Sequence, residues 1–121
     1  MSHRILIVDD EPNIVISLEY LLRKEGFQTA VATDGEAALQ QASSFLPDLI
    51  LLDVMMPKKS GYEVCQVLRA DPALAAVKIV MLTAKGRETE VAKGLALGAD
   101  AYVTKPFSTK DLVLQIKSLL A

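Results

Sequence analysis

The chain contains the stretch Leu49-Ile50-Leu51-Leu52-Asp53, in which four branched apolar residues are followed by a carboxylate. Three other short apolar runs also end on residues able to bind metal or phosphate: Ile5–Val8 before Asp9 and Asp10, Ile79–Leu82 before Thr83, and Tyr102–Thr104 before Lys105. Such runs, bounded by turn residues, are typical of strands buried on both faces of a parallel sheet. Ligands of parallel sheets bind outside the carboxyl ends of the strands. The pattern therefore predicts that three carboxylates, a hydroxyl and an ammonium meet at one edge of one sheet.

Helix-like periods alternate with these strands, and Phe27–Ala32 adds a further short strand. Pro12 suits a first helical position, and Ser108 is a favourable cap for the last helix. The five predicted helices are bounded by capping or turn residues: Pro12 to Gly26, from Asp34-Gly35 onward, from Ser60-Gly61 to Asp71, Glu88 to Leu97, and from Ser108 onward. Five strands alternating with five helices predict an α/β domain with parallel strands and right-handed crossovers.

Composition and charge restrict the class of protein. The chain has 121 residues, of which 51% are hydrophobic and 23% charged, which predicts one globular domain and excludes a disordered chain. A net charge of -2 gives no general attraction to nucleic acid or to an anionic membrane. The lone Cys65 permits no internal disulfide, and no apolar stretch approaches the ~20 residues of a membrane helix. We expect a single cytoplasmic domain over residues 1–121, compatible with excision from a longer protein.

The acidic pair Asp9 and Asp10 has two interpretations. Adjacent carboxylates repel each other unless a cation neutralises them, and Mg²⁺ takes oxygen ligands while keeping some of its waters. Acids just ahead of a helix also complement the helix dipole, so the pair alone leaves both interpretations open. Asp53 favours the metal site, because a carboxylate after four buried residues is poorly explained by solubility. Such a carboxylate can attack phosphorus and form an aspartyl phosphate.

Thr83 and Lys105 gain a role only in combination with these acids. Taken singly, they are an ordinary threonine at a strand end and a solvated surface lysine. Together they could donate a hydroxyl to one phosphoryl oxygen and pair an ammonium with another. We expect both side chains at the solvent-exposed edge of the sheet.

This set of motifs resembles the receiver domain of two-component response regulators over essentially the whole chain. The matching stretches are specific in order and spacing: Val8–Glu11, Asp53–Pro57 with Gly61, Thr83-Ala84, and Lys105–Phe107. The resemblance implies a flavodoxin-like (βα)5 three-layer sandwich with a parallel five-stranded sheet in the order 2-1-3-4-5. It also implies a signalling phosphoacceptor, not a metabolic enzyme, which promotes its own phosphorylation and later dephosphorylation. The donor would be the phosphohistidine of a sensor histidine kinase or of a histidine phosphotransfer domain.

The resemblance assigns roles to individual residues at the strand ends. Asp53 would be the phosphoacceptor and, with Asp10, a direct Mg²⁺ ligand. Asp9 would act on the metal through bound water, and the backbone carbonyl of Met55 would complete the protein ligands.

Further roles in the phosphoryl site and the switch also follow from the family. Thr83 and Lys105 would contact the phosphoryl group, and Thr83 with Tyr102 would form the switch. The Lys105-Pro106 bond matches a cis peptide of the family, which would aim the ammonium at the phosphoryl group.

The family also implies a surface for a downstream effector, the face of the fourth helix, fifth strand and fifth helix, roughly Arg87 to Lys117. Receivers attached to winged-helix transcription factors often dimerise there through charged pairs. Ala101 and Gln115 occupy two positions that are oppositely charged in that network. Three charged residues of that network remain: Lys93, Asp100 and Asp111. We expect a monomer or weak dimer that binds a different protein or controls an appended domain, without direct contact to nucleic acid or membrane.

Three alternatives belong to other classes. A haloacid-dehalogenase-type phosphohydrolase also combines Asp, Thr, Lys and Mg²⁺, but its nucleophile follows the first strand in an Asp-x-Asp pattern. A flavodoxin-like FMN-binding module should open its first strand into a hydroxyl- and glycine-rich phosphate cradle, where Asp9-Asp10-Glu11-Pro12 would repel phosphate. A degenerate receiver used only for protein contacts would not need the full set of phosphorylation residues.

Overall fold

The computed structural model describes residues 3–54, 56, 60–84 and 88–121. Five strands alternate with five helices along the chain: β1 (Arg4–Val8), α1 (Pro12–Lys24), β2 (Gln28–Ala32), α2 (Gly35–Phe45), β3 (Leu49–Asp53), α3 (Gly61–Ala70), β4 (Lys78–Ala84), α4 (Glu88–Ala96), β5 (Ala101–Lys105) and α5 (Thr109–Leu120). All strand pairs are parallel, and the sheet order is β2-β1-β3-β4-β5. The expected flavodoxin-like order 2-1-3-4-5 is confirmed.

The central strands are apolar on both sides because helices cover both faces of the sheet. Alternate residues of β1, β3 and β4 point to opposite faces, as the two-residue period of a strand requires. One face packs against α2 and α3, with Leu6, Ile50 and Ile79 in its core. The other face packs against α1 and α5, with Ile5, Leu51 and Val80 in its core. The domain is thus the predicted three-layer sandwich.

The helix caps identified in the sequence are present. Ser60 and Glu63 form a reciprocal capping box at the start of α3. Asp34 accepts a hydrogen bond from the Ala37 N–H at the start of α2, and Ser108 caps α5. These caps fix where three helices begin relative to the strand ends.

Element boundaries differ slightly from the sequence predictions. Phe27 lies before β2, because its N–H donates to the Leu22 carbonyl and closes α1 after Gly26. Leu97 follows α4, and Gly98 adopts a positive φ of 113° in the turn that leads to β5. No helix within the described part of the chain is long and apolar enough to cross a membrane.

Candidate functional site

Three carboxylates meet at the carboxyl ends of β1 and β3. Val8 pairs with Leu52 across these parallel strands, so Asp9 and Asp53 are neighbours at the next position. Asp9, Asp10 and Asp53 each offer an oxygen, and these oxygens lie within 4.8 Å of one another. The predicted convergence of the three acids is therefore present.

The three acids differ in burial and in how firmly they are held. Asp9 is 0% exposed: its N–H donates to the Ala32 carbonyl (3.1 Å), and its Oδ1 accepts from the Glu11 N–H (2.9 Å). Asp53 is also buried, whereas Asp10 is exposed to solvent. Buried like charges so close together are costly, and a bound cation would offset that cost. Oxygen ligands of this kind, with one side open to water, fit Mg²⁺. Met55, whose carbonyl was expected to join them, lies outside the described residues.

Lys105 brings a positive charge to these acids from the end of β5. Its Nζ lies 2.8 Å from Asp9 Oδ2, 3.0 Å from Glu11 Oε1 and 3.5 Å from Asp53 Oδ2. The Lys105-Pro106 peptide is cis, as the family resemblance implied. Burial lowers the pKa of Lys105, but the effect of Asp9, Glu11 and Asp53 exceeds it, so that pKa lies above its ordinary value. The side chain is therefore an ammonium fixed among carboxylates.

The expectation that Thr83 and Lys105 lie at a solvent-exposed edge is wrong. Thr83 is 3% exposed, and the Lys105 side chain is 17% exposed. Thr83 is the penultimate residue of β4, a strand that lies between β3 and β5, and it pairs with Thr104. Its Oγ1 is buried and has no hydrogen-bond partner within the described residues. A buried hydroxyl without a partner is costly, and this atom would be available to a group bound at this edge of the sheet.

Gly61, the first residue of α3, lies directly against the end of β3. A Cβ at this position would lie 2.5 Å from the Asp53 carbonyl oxygen and 2.9 Å from the Val54 Cα. The Gly61 N–H also donates to the Val54 carbonyl at 3.0 Å. Only glycine permits the first turn of α3 to approach the end of β3 so closely, which explains the glycine in the matching motif.

Tyr102 lies away from the acids. It is 46% exposed on β5, and it lines an open groove of about 500 Å³ together with Leu95 and Gln115. The structure therefore places Tyr102 at an open surface, and its coupling to Thr83 stays a prediction. Arg87 lies outside the described residues, so the expected effector face is described only from 88 onward.

The contacts of Glu11 were not predicted. Its carboxylate pairs with Lys105, a residue 94 positions later in the chain. The only signal in the sequence was a third consecutive acid after Asp9-Asp10.

Two charges of the expected dimerisation face also have partners within the domain. Asp100 Oδ2 accepts from Arg69 Nη2 (2.7 Å) and from the Ile79 N–H (2.8 Å). Lys93 Nζ lies 4.6 Å from the centroid of the Tyr62 ring. These residues are thus less available to a second copy than the sequence alone suggested.

Comparison with known proteins agrees with the fold. The family model of the response regulator receiver domain matches residues 5–117. The DNA-binding response regulator MtrA of Mycolicibacterium smegmatis is 50% identical over 120 residues, which cover 99% of this chain and 51% of MtrA. The alkaline phosphatase synthesis transcriptional regulatory protein PhoP of Bacillus subtilis is 48% identical, over 99% of this chain and 49% of PhoP. The chain thus spans about half the length of these curated relatives.

A solved structure gives the same result. The receiver domain of a signal transduction histidine kinase from Syntrophus aciditrophicus superposes with a TM-score of 0.91 at 35% identity, covering 98% of this chain and 90% of that one. These matches do not support the phosphohydrolase and flavin-binding alternatives. The order of the sheet, the acids at the ends of β1 and β3, and a family match across almost the whole chain lead to one conclusion. This chain belongs to the receiver domain family of two-component response regulators.

Proposed function

We propose that Asp53 accepts a phosphoryl group from the phosphohistidine of a sensor histidine kinase or of a histidine phosphotransfer domain. The observation that carries the proposal is the surroundings of its carboxylate. Acids that could hold a metal lie on one side, and the Lys105 ammonium lies on the other. The Thr83 hydroxyl, which has no hydrogen-bond partner among the described residues, belongs to the paired strand β4. This combination is suited to binding an anion next to a nucleophilic carboxylate.

In the proposed reaction an Asp53 oxygen attacks phosphorus, and the bond between phosphorus and the donor imidazole nitrogen breaks. The electron pair of that bond stays on the imidazole nitrogen. This nitrogen takes a proton from water, so the donor leaves as a neutral imidazole. Lys105 pairs with one phosphoryl oxygen, and Thr83 Oγ1 donates to another. Lys105 is already an ammonium 3.5 Å from Asp53 before the phosphoryl group arrives, so its positive charge does not have to be brought to the site.

Mg²⁺ fits the acids as the proposed cofactor. Asp10 and Asp53 would hold it directly, Asp9 would act through water, and the backbone carbonyl of Met55 would complete the protein ligands. When bound, the metal supplies positive charge that offsets the repulsion between the Asp53 carboxylate and an anionic donor. The same groups promote hydrolysis of the aspartyl phosphate, which returns the domain to rest without a metabolic product.

The proposed output is a change of surface on the face Arg87 to Lys117. Thr83 would move toward the phosphoryl group and Tyr102, now half exposed, would turn inward. The groove beside Tyr102 would then change for a downstream effector, either a separate protein or an attached output domain. The descriptions of MtrA and PhoP as DNA-binding and transcriptional regulators support an output in transcription. Residues 1–121 would form one cytoplasmic receiver domain that does not itself contact nucleic acid or membrane.

The proposed oligomeric state is a monomer or weak dimer. Ala101 and Gln115 offer no charge where a symmetric charged network would require one. Asp100 is held by Arg69, and Lys93 lies over Tyr62, so both charges would have to exchange partners before pairing with a second copy. That exchange should weaken a symmetric assembly.

Intact mass spectrometry tests the phosphoacceptor. A small phosphodonor with Mg²⁺ should add one phosphoryl group to the wild type and none to Asp53→Asn. Omission of divalent metal is the control and should abolish labelling. Equal labelling of both proteins would contradict the assignment of Asp53. The beryllofluoride-activated wild type should also sediment as a monomer at concentrations on the order of tens of micromolar, and a stoichiometric dimer would contradict the proposed state.

A further inference from the structure

The Lys105 ammonium has three carboxylate neighbours, and one of them has no role in the function proposed so far. Asp9 and Asp53 belong to the proposed metal and phosphoryl site. Glu11 Oε1 lies 3.0 Å from Lys105 Nζ, nearer than Asp53 Oδ2 at 3.5 Å. Glu11 is not among the three acids whose oxygens converge on the candidate metal position.

The position of Glu11 in the chain makes this contact informative. Glu11 is the N-cap residue of α1, yet its side chain accepts no hydrogen bond from the helix. Its backbone is fixed, because its N–H donates to Asp9 Oδ1 and Pro12 follows at the first helical position. An acid at such a position can cap the helix that it precedes. Here its carboxylate is directed across the site to β5 instead.

The three neighbours differ in how easily each could release the ammonium. A lysine ammonium has three N–H donors and lies within 3.5 Å of three carboxylates here, so a shift of Lys105 toward a phosphoryl oxygen weakens at least one of these contacts. Asp9 is fully buried and hydrogen-bonded, and Asp53 carries the phosphoryl group itself. The Glu11 side chain is 59% exposed, and water can solvate its carboxylate after release. Glu11 is therefore the neighbour whose release costs least.

We propose that Glu11 is a positioning residue that holds Lys105 in the resting state and limits how readily Lys105 transfers to a phosphoryl oxygen on Asp53. The proposal rests on the proposed phosphoacceptor function of Asp53. Each phosphorylation event then exchanges a Glu11–Lys105 contact for a phosphoryl–Lys105 contact. Removal of the Glu11–Lys105 contact therefore favours the phosphoryl–Lys105 contact, because the resting state becomes less stable relative to the phosphorylated state.

The expected size of the effect follows from the exposure of the pair. Partly exposed ion pairs contribute modestly, which corresponds to an affinity change of about two- to fivefold. Two variants distinguish the effect of the Glu11–Lys105 contact from the effect of the negative charge of Glu11. Glu11→Gln removes the negative charge, whereas Glu11→Asp keeps it on a side chain that is one methylene shorter and favours capping α1. Both changes are conservative at an exposed position, so both proteins should fold.

The experiment measures two quantities in the wild type and in each variant. The first is the side-chain ammonium signal of Lys105 by NMR in the resting protein, assigned with Lys105→Ala. The second is the beryllofluoride concentration at half saturation, at Mg²⁺ concentrations that saturate each variant. We expect both variants to shift the resting Lys105 signal and to bind beryllofluoride about two- to fivefold more tightly.

The outcomes distinguish a failure of the proposal for Glu11 from a failure of the proposed function of Asp53. A Glu11→Asp protein that matches wild type in both quantities, while Glu11→Gln differs, means that charge acts without contact and overturns the proposal. Unchanged values in both variants overturn it as well. A wild type that binds no beryllofluoride and takes no phosphoryl group refutes the function of Asp53, and the role of Glu11 fails with it.

Discussion

A cation is surrounded by oxygen atoms at each end of the sheet, and the two surroundings differ. At the carboxyl end, Lys105 is one positive charge among the carboxylates of Asp9, Asp10, Glu11 and Asp53. At the amino end, Arg69 donates to four oxygens: the carbonyls of Ala75, Val77 and Gly98, and Asp100 Oδ2. Asp100 lies just before β5, and its carboxylate also accepts from the N–H of Ile79 at the start of β4.

The difference distinguishes a structural cluster from a functional one. The Arg69 cluster balances one guanidinium with one carboxylate, and its polar groups are paired with one another. The Lys105 cluster has an excess of negative charge, and the nearby hydroxyl of Thr83 has no partner within the described residues. Unbalanced charge and an unpaired buried group are costly for stability, and they persist where a ligand compensates for them.

The largest change in stability should come from a substitution at the amino end of the sheet. Arg69→Ala removes four hydrogen bonds that tie the end of α3 to the segments before β4 and β5. We expect the free energy of unfolding to fall by about 2–3 kcal/mol, measured by urea denaturation. Lys117→Ala is the control, because it breaks only an exposed ion pair with Glu25 and should change stability little. A similar loss of the free energy of unfolding in both variants would contradict a structural role for the Arg69 cluster.

The next effect concerns Mg²⁺ at the carboxyl end. Free Mg²⁺ at about ten times its dissociation constant should raise the free energy of unfolding by about 1.4 kcal/mol. The increase should be largely absent in Asp10→Asn and fully present in Arg69→Ala, because only the first change alters the acids. Thermal denaturation with Mg²⁺, compared with a monovalent salt at equal ionic strength, measures it. An undiminished gain in Asp10→Asn would exclude Asp10 as a ligand.

The smallest effect on stability should come from Thr83→Val. This substitution keeps the shape of the side chain and removes a buried hydroxyl without a partner, so stability should rise by about 0.5–1 kcal/mol. The beryllofluoride-induced chemical-shift changes on β5 should be largely lost. Thr104→Val, on the neighbouring strand, is the matched control and should retain them. A loss of stability in Thr83→Val would mean that the hydroxyl already has a partner.

The sequence predicted the elements and the meeting of Asp9, Asp10 and Asp53 for a simple reason. Parallel strands of similar length end at one edge, and acids directly after buried runs must gather there. The cis Lys105-Pro106 bond and the strand order came from the family resemblance, because neither follows from composition or periodicity. The roles of these acids in phosphorylation remain predictions for the experiments above.

The sequence did not predict burial or side-chain pairing at the same edge. Thr83 was predicted to be exposed because the residues next to it in sequence do not show that its strand, β4, lies between β3 and β5. The partners of Asp100 and Glu11 are 31 and 94 positions away, so local patterns carry no signal for them. Such contacts depend on the tertiary structure, which brings distant parts of the chain together.

The close approach of Gly61 to the carbonyl of Asp53 limits where the structure can move when a group is added to Asp53. The backbone at the end of β3 rests against the first turn of α3 with no space to recoil. Packed interiors of this kind are poorly compressible. We therefore expect a group added to Asp53 to displace the ends of β4 and β5, at Thr83 and Lys105, more than the tightly packed junction of β3 and α3. Such a movement would pass to α4 and α5, the helices connected to these two strands, while the first turn of α3 would act as a fixed support because Gly61 has no Cβ.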